Sequence, residues 1–83
     1  MELKQLEYFL KVAEQLNFSR AAESLYISQP ALSYQIAELE RELGAELFVR
    51  DRRKVSLTPE GEALMLPARE MLEHASILPD VIR

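Results

Sequence analysis

The sequence has no cysteine and only one histidine among its 83 residues. The lack of cysteine excludes disulfide bonds, thiolate zinc sites, iron–sulfur clusters and a cysteine nucleophile. One histidine also excludes a histidine-rich metal centre within a single chain. No apolar run approaches the roughly 18 residues that span a bilayer, and the first residues lack the basic and apolar parts of a signal peptide. We therefore expect a cytoplasmic protein with no membrane partner.

Signatures of catalysis are missing as well. The sequence has no nucleophile–base–acid set, no glycine-rich phosphate loop and no metal-ligand spacing, so we predict no catalytic site, no metal and no cofactor in this chain. A length of 83 residues allows one small domain. Hydrophobic residues at 48% and charged residues at 29% are typical of a globular chain.

The formal net charge of −4 argues at first against a nucleic-acid partner, because most DNA-binding domains are basic. The charge is unevenly distributed, however. Residues 37–49 and 60–83 each carry −3, whereas residues 50–54 carry +3. The positive charge comes from Arg50, Arg52, Arg53 and Lys54, opposed only by Asp51. DNA responds to this local concentration rather than to the sum.

The first half of the chain is predicted to be helical. Apolar residues at a spacing of three and four indicate an amphipathic helix over residues 4–16, ended by Asn17. Ser19 is the expected N-cap of a short second helix over residues 20–25. Ser28 is the expected N-cap of a third helix that runs to Leu43, with Gly44 as its left-handed C-cap.

The second half begins with short segments rich in strand formers. Residues 46–50 and 55–57 predict a small β-hairpin with a basic tip. Thr58 and Pro59 then begin a helix over residues 59–83, in which Pro67 and Pro79 can cause a kink or an early end. Because this helix stops in the middle of its pattern, we expect the chain to be a fragment of a longer protein. Its heptad seam predicts a dimer helix formed by Leu64, Ala68, Met71, Leu72, Ala75, Leu78 and Ile82.

The second and third helices, with a tight turn between them, indicate a helix-turn-helix. The pattern alone is only moderately specific, because small helical domains often contain such corners. From Ser28 to Ala37 there is no charged residue, and the exposed face carries amides, hydroxyls and a phenol that can contact base edges. The same face could dock on a protein, so a helical protein–protein module is the alternative. The basic hairpin favours DNA, because it would lie beside the recognition helix, where phosphates or the minor groove are contacted.

Three segments of the sequence carry a resemblance to a known family. They are Phe18–Ile36, Leu39-Glu40-x-Glu42-Leu43-Gly44-x-x-Leu47-Phe48-x-Arg50 and Leu57-Thr58-Pro59-x-Gly61. These segments resemble the N-terminal winged helix-turn-helix of the LysR-type transcriptional regulators. The resemblance implies a mainly α fold with a winged helix-turn-helix over residues 1–58 and a linker and dimerisation helix over residues 59–83.

The resemblance also implies a function. Such proteins are bacterial transcription factors that bind an interrupted palindrome in double-stranded DNA as a homodimer or tetramer, and a separate C-terminal domain binds a small-molecule effector. The implied base-reading residues are Gln29, Pro30, Ala31, Ser33 and Tyr34. The implied phosphate contacts are Ser19, Arg20, Ser28 and Gln35, and Arg53 would enter the minor groove from the wing. Many family members have arginine where this chain has Tyr34, so a bidentate guanine contact is lost there.

Overall fold

The computed structural model describes all 83 residues and has five helices and one two-stranded antiparallel sheet. In chain order the elements are α1 (Leu3–Gln15), α2 (Phe18–Leu25), α3 (Gln29–Leu43), β1 (Phe48–Arg50), β2 (Val55–Leu57), α4 (Pro59–Ser76) and α5 (Leu78–Ile82). This order confirms the predicted mainly α winged helix-turn-helix with a long helix after the wing. None of the helices has both the length and the hydrophobicity needed to cross a bilayer.

The junction between α1 and α2 is tighter than the sequence indicated. Leu16 ends α1 in the left-handed conformation, with φ of 50°. Asn17 then begins α2, and its Oδ1 accepts a hydrogen bond of 2.9 Å from the Arg20 backbone N–H. The predictions that Asn17 ends the first helix and that Ser19 caps the second were therefore wrong. The reason is Phe18, whose burial requires α2 to begin early enough to carry its ring into the core.

Helix α3 begins and ends as predicted. The Ser28 hydroxyl accepts a hydrogen bond of 3.2 Å from the Ala31 backbone N–H. Gly44 terminates the helix with φ of 70°, a conformation that a side chain would strain. Between these ends, the stripe formed by Leu32, Ile36 and Leu39 is completely buried. Burial of this stripe fixes the rotation of α3 and turns its uncharged face outward.

Three phenylalanine rings join the helices to the hairpin. The ring centroids of Phe9 and Phe48 are 5.4 Å apart, and those of Phe18 and Phe48 are 5.7 Å apart in an edge-to-face arrangement. Such aromatic pairs contribute roughly 0.5–1.5 kcal/mol beyond the burial of their area. The three rings belong to one hydrophobic core, which consists of Leu6, Phe9, Val12, Ala13, Phe18, Ala21, Ala22, Leu32, Ile36, Leu39, Leu47, Phe48 and Ala68.

The hairpin pairs Phe48 with Leu57 and Arg50 with Val55. The Asp51 N–H donates to the Lys54 carbonyl at 2.9 Å, which leaves residues 52 and 53 at the tip. Strand β1 begins later than the predicted residue 46. In the preceding segment, the Leu47 N–H donates to the Glu40 carboxylate of α3 at 2.7 Å instead of to a neighbouring strand.

The start of α4 is fixed against the loop before the hairpin. The Thr58 hydroxyl accepts from the Gly61 N–H at 3.0 Å and donates to the Glu46 carbonyl at 2.6 Å. Gly61 lies so close to this loop that a Cβ atom there would be 2.2 Å from the Leu47 carbonyl oxygen. The start of α4 is therefore in direct contact with the loop that leads into the hairpin.

The predicted single helix over residues 59–83 is interrupted. Helix α4 continues through Pro67 but ends at Ser76, and Ile77 separates it from α5, whose first turn contains Pro79. The break lies just before Pro79, which supplies no N–H to the ladder and whose ring crowds the carbonyl four residues earlier, although α4 accommodates a proline at position 67. The heptad seam is accordingly divided between two helices.

Part of that seam packs on the chain itself. Ala68 is completely buried, and Leu64 and Leu72 are half-buried against the same core, where α4 lies on α1. Ala68 was predicted to lie in a dimer interface, and its burial leaves it no surface for a partner. The core therefore contains residues from both sides of the boundary expected at residue 58. Met71, Leu78 and Ile82 remain exposed, and Ala75 is half-buried.

Candidate nucleic-acid interface

The outer face of α3 presents the residues that the sequence predicted to read bases. Pro30, Ala31 and Tyr34 are exposed, whereas Gln29 and Ser33 are half-buried. Their placement follows from the buried stripe on the opposite side of the helix. The five residues together form an uncharged surface of polar and small apolar side chains, which can approach base edges without desolvating an ion.

A hydrogen-bonded group connects this face to the hairpin. The Gln29 Nε2 donates to the Ser33 Oγ at 2.7 Å, and the Arg50 Nη1 donates to the same oxygen at 3.3 Å. The Arg50 guanidinium also lies over the Phe18 ring, with its Cζ 3.6 Å from the ring centroid. Arg50 was predicted to act with the wing, but the structure places its side chain beside α3. Because Arg50 and Ser33 are 17 residues apart in the sequence, no local pattern predicts this contact.

An open groove of about 790 Å³ runs between α3 and the hairpin. Its α3 wall contains Pro30, Ser33 and Tyr34, and its hairpin wall contains Val49 and Arg50. A groove beside a recognition helix leaves room for the helix to enter a DNA groove while the wing contacts the adjoining backbone. The phenol of Tyr34 is exposed in this groove.

A second, smaller cleft of about 310 Å³ separates the beginning of α2 from the hairpin. Ser19 contributes to one wall, and Arg52, Arg53 and Lys54 contribute to the other. The first turn of a helix has backbone N–H groups without intrahelical partners, and these favour anions. The cleft thus combines cationic side chains with the positive end of a helix, a combination suited to a phosphate.

The cations of this surface have no carboxylate partner, in contrast to those elsewhere. Four of the ten Lys and Arg side chains form ion pairs, namely Lys4, Lys11, Arg41 and Arg83. The six that form none are Arg20, Arg50, Arg52, Arg53, Lys54 and Arg69. Five of these six lie among the predicted DNA contacts. The unneutralised positive charge is therefore concentrated on one surface.

Arg41 shows the opposite arrangement at the far end of α3. Its guanidinium donates to both carboxylate oxygens of Glu38. This hydrogen bonding, together with the charge of Glu38, raises the pKa of Arg41 above its ordinary value. The positive charge of Arg41 is thus neutralised within α3.

Two predicted phosphate contacts are also used within the fold. The Ser28 hydroxyl oxygen accepts the hydrogen bond that caps α3, and its hydrogen remains free to donate to a phosphate. The Gln35 Oε1 accepts a hydrogen bond of 3.1 Å from the Nε2 of Gln5 on α1, which leaves the Gln35 amide nitrogen available. Gln5 itself is buried, and the sequence pattern did not predict its role. A polar residue beside Leu6 at the edge of the apolar stripe was the one available signal.

Comparisons with known proteins agree with this geometry. Residues 3–62 match the family described as "Bacterial regulatory helix-turn-helix protein, lysR family". The Hca operon transcriptional activator HcaR of Escherichia coli (strain K12) is 55% identical over 75 residues, which cover 90% of this chain and 25% of HcaR. The HTH-type transcriptional regulator XapR of the same strain is 52% identical over 75 residues, covering 90% of this chain and 26% of XapR. The chain spans about a quarter of the length of these curated relatives.

Solved structures show the same similarity in three dimensions. The crystal structure of the CbnR_DBD–DNA complex superposes with a TM-score of 0.95 at 42% identity, covering 100% of this chain and 95% of that chain. The BenM_DBD/benA site 1 DNA complex gives a TM-score of 0.91 at 41% identity, with 99% and 92% of the two chains covered. The relatives are regulators, which confirms the predicted class and the expectation that the chain is not an enzyme.

Proposed function

The chain belongs to the LysR family of bacterial regulatory helix-turn-helix proteins, and from this we propose that it is the part of a transcriptional regulator that binds double-stranded DNA sequence-specifically. One observation carries the proposal: an uncharged α3 face lies beside five cations that have no carboxylate partner. The neutral face suits base edges, and the cations suit phosphates. A DNA target would place this activity in the bacterial cytoplasm.

The proposed interface has three parts. Helix α3 enters the major groove and reads bases with Gln29, Pro30, Ala31, Ser33 and Tyr34. The beginnings of α2 and α3 contact phosphates through Ser19, Arg20, Ser28 and Gln35. The wing tip follows the backbone into the minor groove with Arg52, Arg53 and Lys54.

We further propose that two copies bind an interrupted palindrome as a homodimer, with their recognition helices about 34 Å apart. The exposed apolar residues of the last two helices support this, since Met71, Leu78 and Ile82 are 46%, 57% and 84% exposed. Large apolar side chains exposed together indicate an interaction surface. A tetramer and a small-molecule effector domain are proposals for the full-length protein, in keeping with relatives about four times as long.

Selection of bound sequences from random duplex DNA tests the central proposal. We expect one motif with two related half-sites to be enriched. Gln29→Ala should then relax the preference at one base pair of each half-site by about 1–3 kcal/mol, because a bidentate contact is lost. Arg53→Ala should weaken binding to all sequences alike. The proposal fails if no sequence is enriched, or if no duplex is shifted at low salt, as expected of a protein–protein module.

Sedimentation tests the dimer. Met71→Glu and Leu78→Glu should each give monomers, because each places a charge in the apolar surface. Leu66→Glu is the matched control, since Leu66 is also exposed on α4, at 62%, but lies outside the heptad seam. A dimer that survives both seam substitutions would show that the surface is wrongly assigned.

A further inference from the structure

The Ser33 hydroxyl is saturated as a hydrogen-bond acceptor. A serine hydroxyl has two acceptor lone pairs and one hydrogen to donate. In this structure Gln29 Nε2 donates to the oxygen at 2.7 Å, and Arg50 Nη1 donates to it at 3.3 Å. Both lone pairs are therefore occupied, and the hydrogen is the one polar function that Ser33 has left.

Arg50 is held in place to make this contact. Its guanidinium lies 3.6 Å from the centroid of the Phe18 ring, and that ring packs edge-on against Phe48 within the core. The backbone of Arg50 is fixed by its pairing with Val55 at the end of the hairpin. Arg50 forms no ion pair that would draw the side chain elsewhere. A stacked cation on a buried ring is a rigid support for a hydrogen bond.

We propose that Arg50 is a positioning residue that determines base specificity, because with Gln29 it restricts Ser33 to donating a hydrogen bond. The inference rests on the proposed DNA-binding function. In the major groove, purine N7, guanine O6 and thymine O4 accept hydrogen bonds, whereas the amino groups of adenine and cytosine donate them. Ser33 then favours an accepting edge and disfavours an amino group, since two donors that face each other leave both unpaired.

The first experiment compares sequences selected from random duplex DNA by the wild type, Ser33→Ala and Arg50→Met. The base pair whose preference disappears in Ser33→Ala identifies the Ser33 position. The wild type should prefer accepting edges there by about fivefold or more. In Arg50→Met this preference should fall to about twofold or less, because the methionine body still covers Phe18 but donates no hydrogen bond. Preferences at the other base pairs should be retained.

Two variants of arginine separate positioning from simple charge. Arg52→Met removes the same charge at the wing tip, from a residue that is not a donor to Ser33, so it should weaken binding to all duplexes by a common factor. Arg50→Lys keeps a donor and the charge and should restore the preference at the Ser33 position. Because lysine keeps both the donor and the charge, restoration shows that a cationic donor at position 50 is sufficient, and the retained Ser33 preference of Arg52→Met excludes a general effect of wing charge.

A third variant leaves Arg50 and Phe18 untouched. Gln29→Met removes the other donor to Ser33 and should relax two base pairs at once, its own and that of Ser33. If Arg50→Met shows no cooperative thermal transition and is therefore unfolded, Gln29→Met still tests the inference, because Gln29 is half-buried on α3 and lies outside the core.

The outcomes that overturn the inference are distinct from those that overturn the function. If Arg50→Met and Gln29→Met both keep the Ser33 preference, Ser33 specificity does not depend on its occupied lone pairs and the positioning role is refuted, although DNA binding stands. If the wild type enriches no sequence at all, the proposed function is refuted and the inference fails with it.

Discussion

Replacing Arg53 with alanine should reduce the salt dependence of DNA binding by a definite amount. Each phosphate neutralised by a cation contributes about 0.9 to the slope of log affinity against log salt. Arg50 is occupied by Ser33 and Phe18, so four cations without carboxylate partners remain for phosphates: Arg20, Arg52, Arg53 and Lys54. Four such contacts predict a slope of about −3.6 per protomer and about −7 per dimer.

The corresponding change in affinity is large enough to measure. Between 50 and 200 mM salt, a slope contribution of about 0.9 is worth roughly a factor of 3.5 for each contact. Arg53→Ala should therefore lower the slope to about −2.7 per protomer and flatten the curve for specific and random duplexes alike. Fluorescence anisotropy titrations over four salt concentrations would determine the slopes.

Arg41→Ala is the matched control, since it removes the same charge from the chain. Arg41 is bound to Glu38, which also raises its pKa, and it lies in the last turn of α3. We therefore expect its replacement to leave the slope near the wild-type value. Equal losses of slope in Arg41→Ala and Arg53→Ala would show that net charge, and not the cluster of unpaired cations, governs binding.

Three further predictions concern stability and specificity. A Cβ at position 61 would lie 2.2 Å from a backbone oxygen, so Gly61→Ala should cost about 2–4 kcal/mol in urea unfolding. Gly44→Ala, with open space but φ of 70°, should cost only about 1 kcal/mol, and similar losses for the two would contradict the close contact. Asn17→Ala should lower the free energy of unfolding by about 1 kcal/mol and Ser19→Ala by less than about 0.5 kcal/mol in the same assay, because Asn17 is the cap of α2. A larger loss for Ser19→Ala would instead support Ser19 as the cap. Tyr34→Arg should shift the preferred base at its position towards guanine in selected sequences, since arginine binds guanine O6 and N7, and an unchanged preference would exclude Tyr34 from base reading.

Local signals in the sequence were sufficient for most of the fold. The caps at Ser28, Gly44 and Thr58 were recognised because a helix end depends on a few adjacent residues. The α1–α2 junction was misread, since Asn17 and Ser19 are both good caps by composition. In the fold Asn17 is the cap, and a start of α2 at Phe18 accompanies the packing of the Phe18 ring against Phe48.

The candidate site was predictable in composition but not in its internal connections. The uncharged stretch from Ser28 to Ala37 and the basic hairpin can both be recognised from the sequence alone. The pairing of Gln5 with Gln35 joins residues 30 positions apart, and Arg50 with Ser33 joins residues 17 apart. No local pattern specifies which side chains meet over such distances.

The sequence by itself determined the family, the order of helices and hairpin, and the residues available to contact DNA. Helical periodicity, capping and the family motif each depend only on residues that are close together in the sequence. The tertiary structure decided which of those residues remain free to act. Ala68, a residue of the heptad seam, is buried in the core of the chain itself. The remaining seam residues lie on two separate helices, because the helix is interrupted just before Pro79. Arg50, which belongs to the hairpin, stacks on Phe18 and donates to Ser33, so its side chain lies beside α3 and not at the wing tip. Each of these outcomes depends on contacts between distant segments, which exist only once the core has formed.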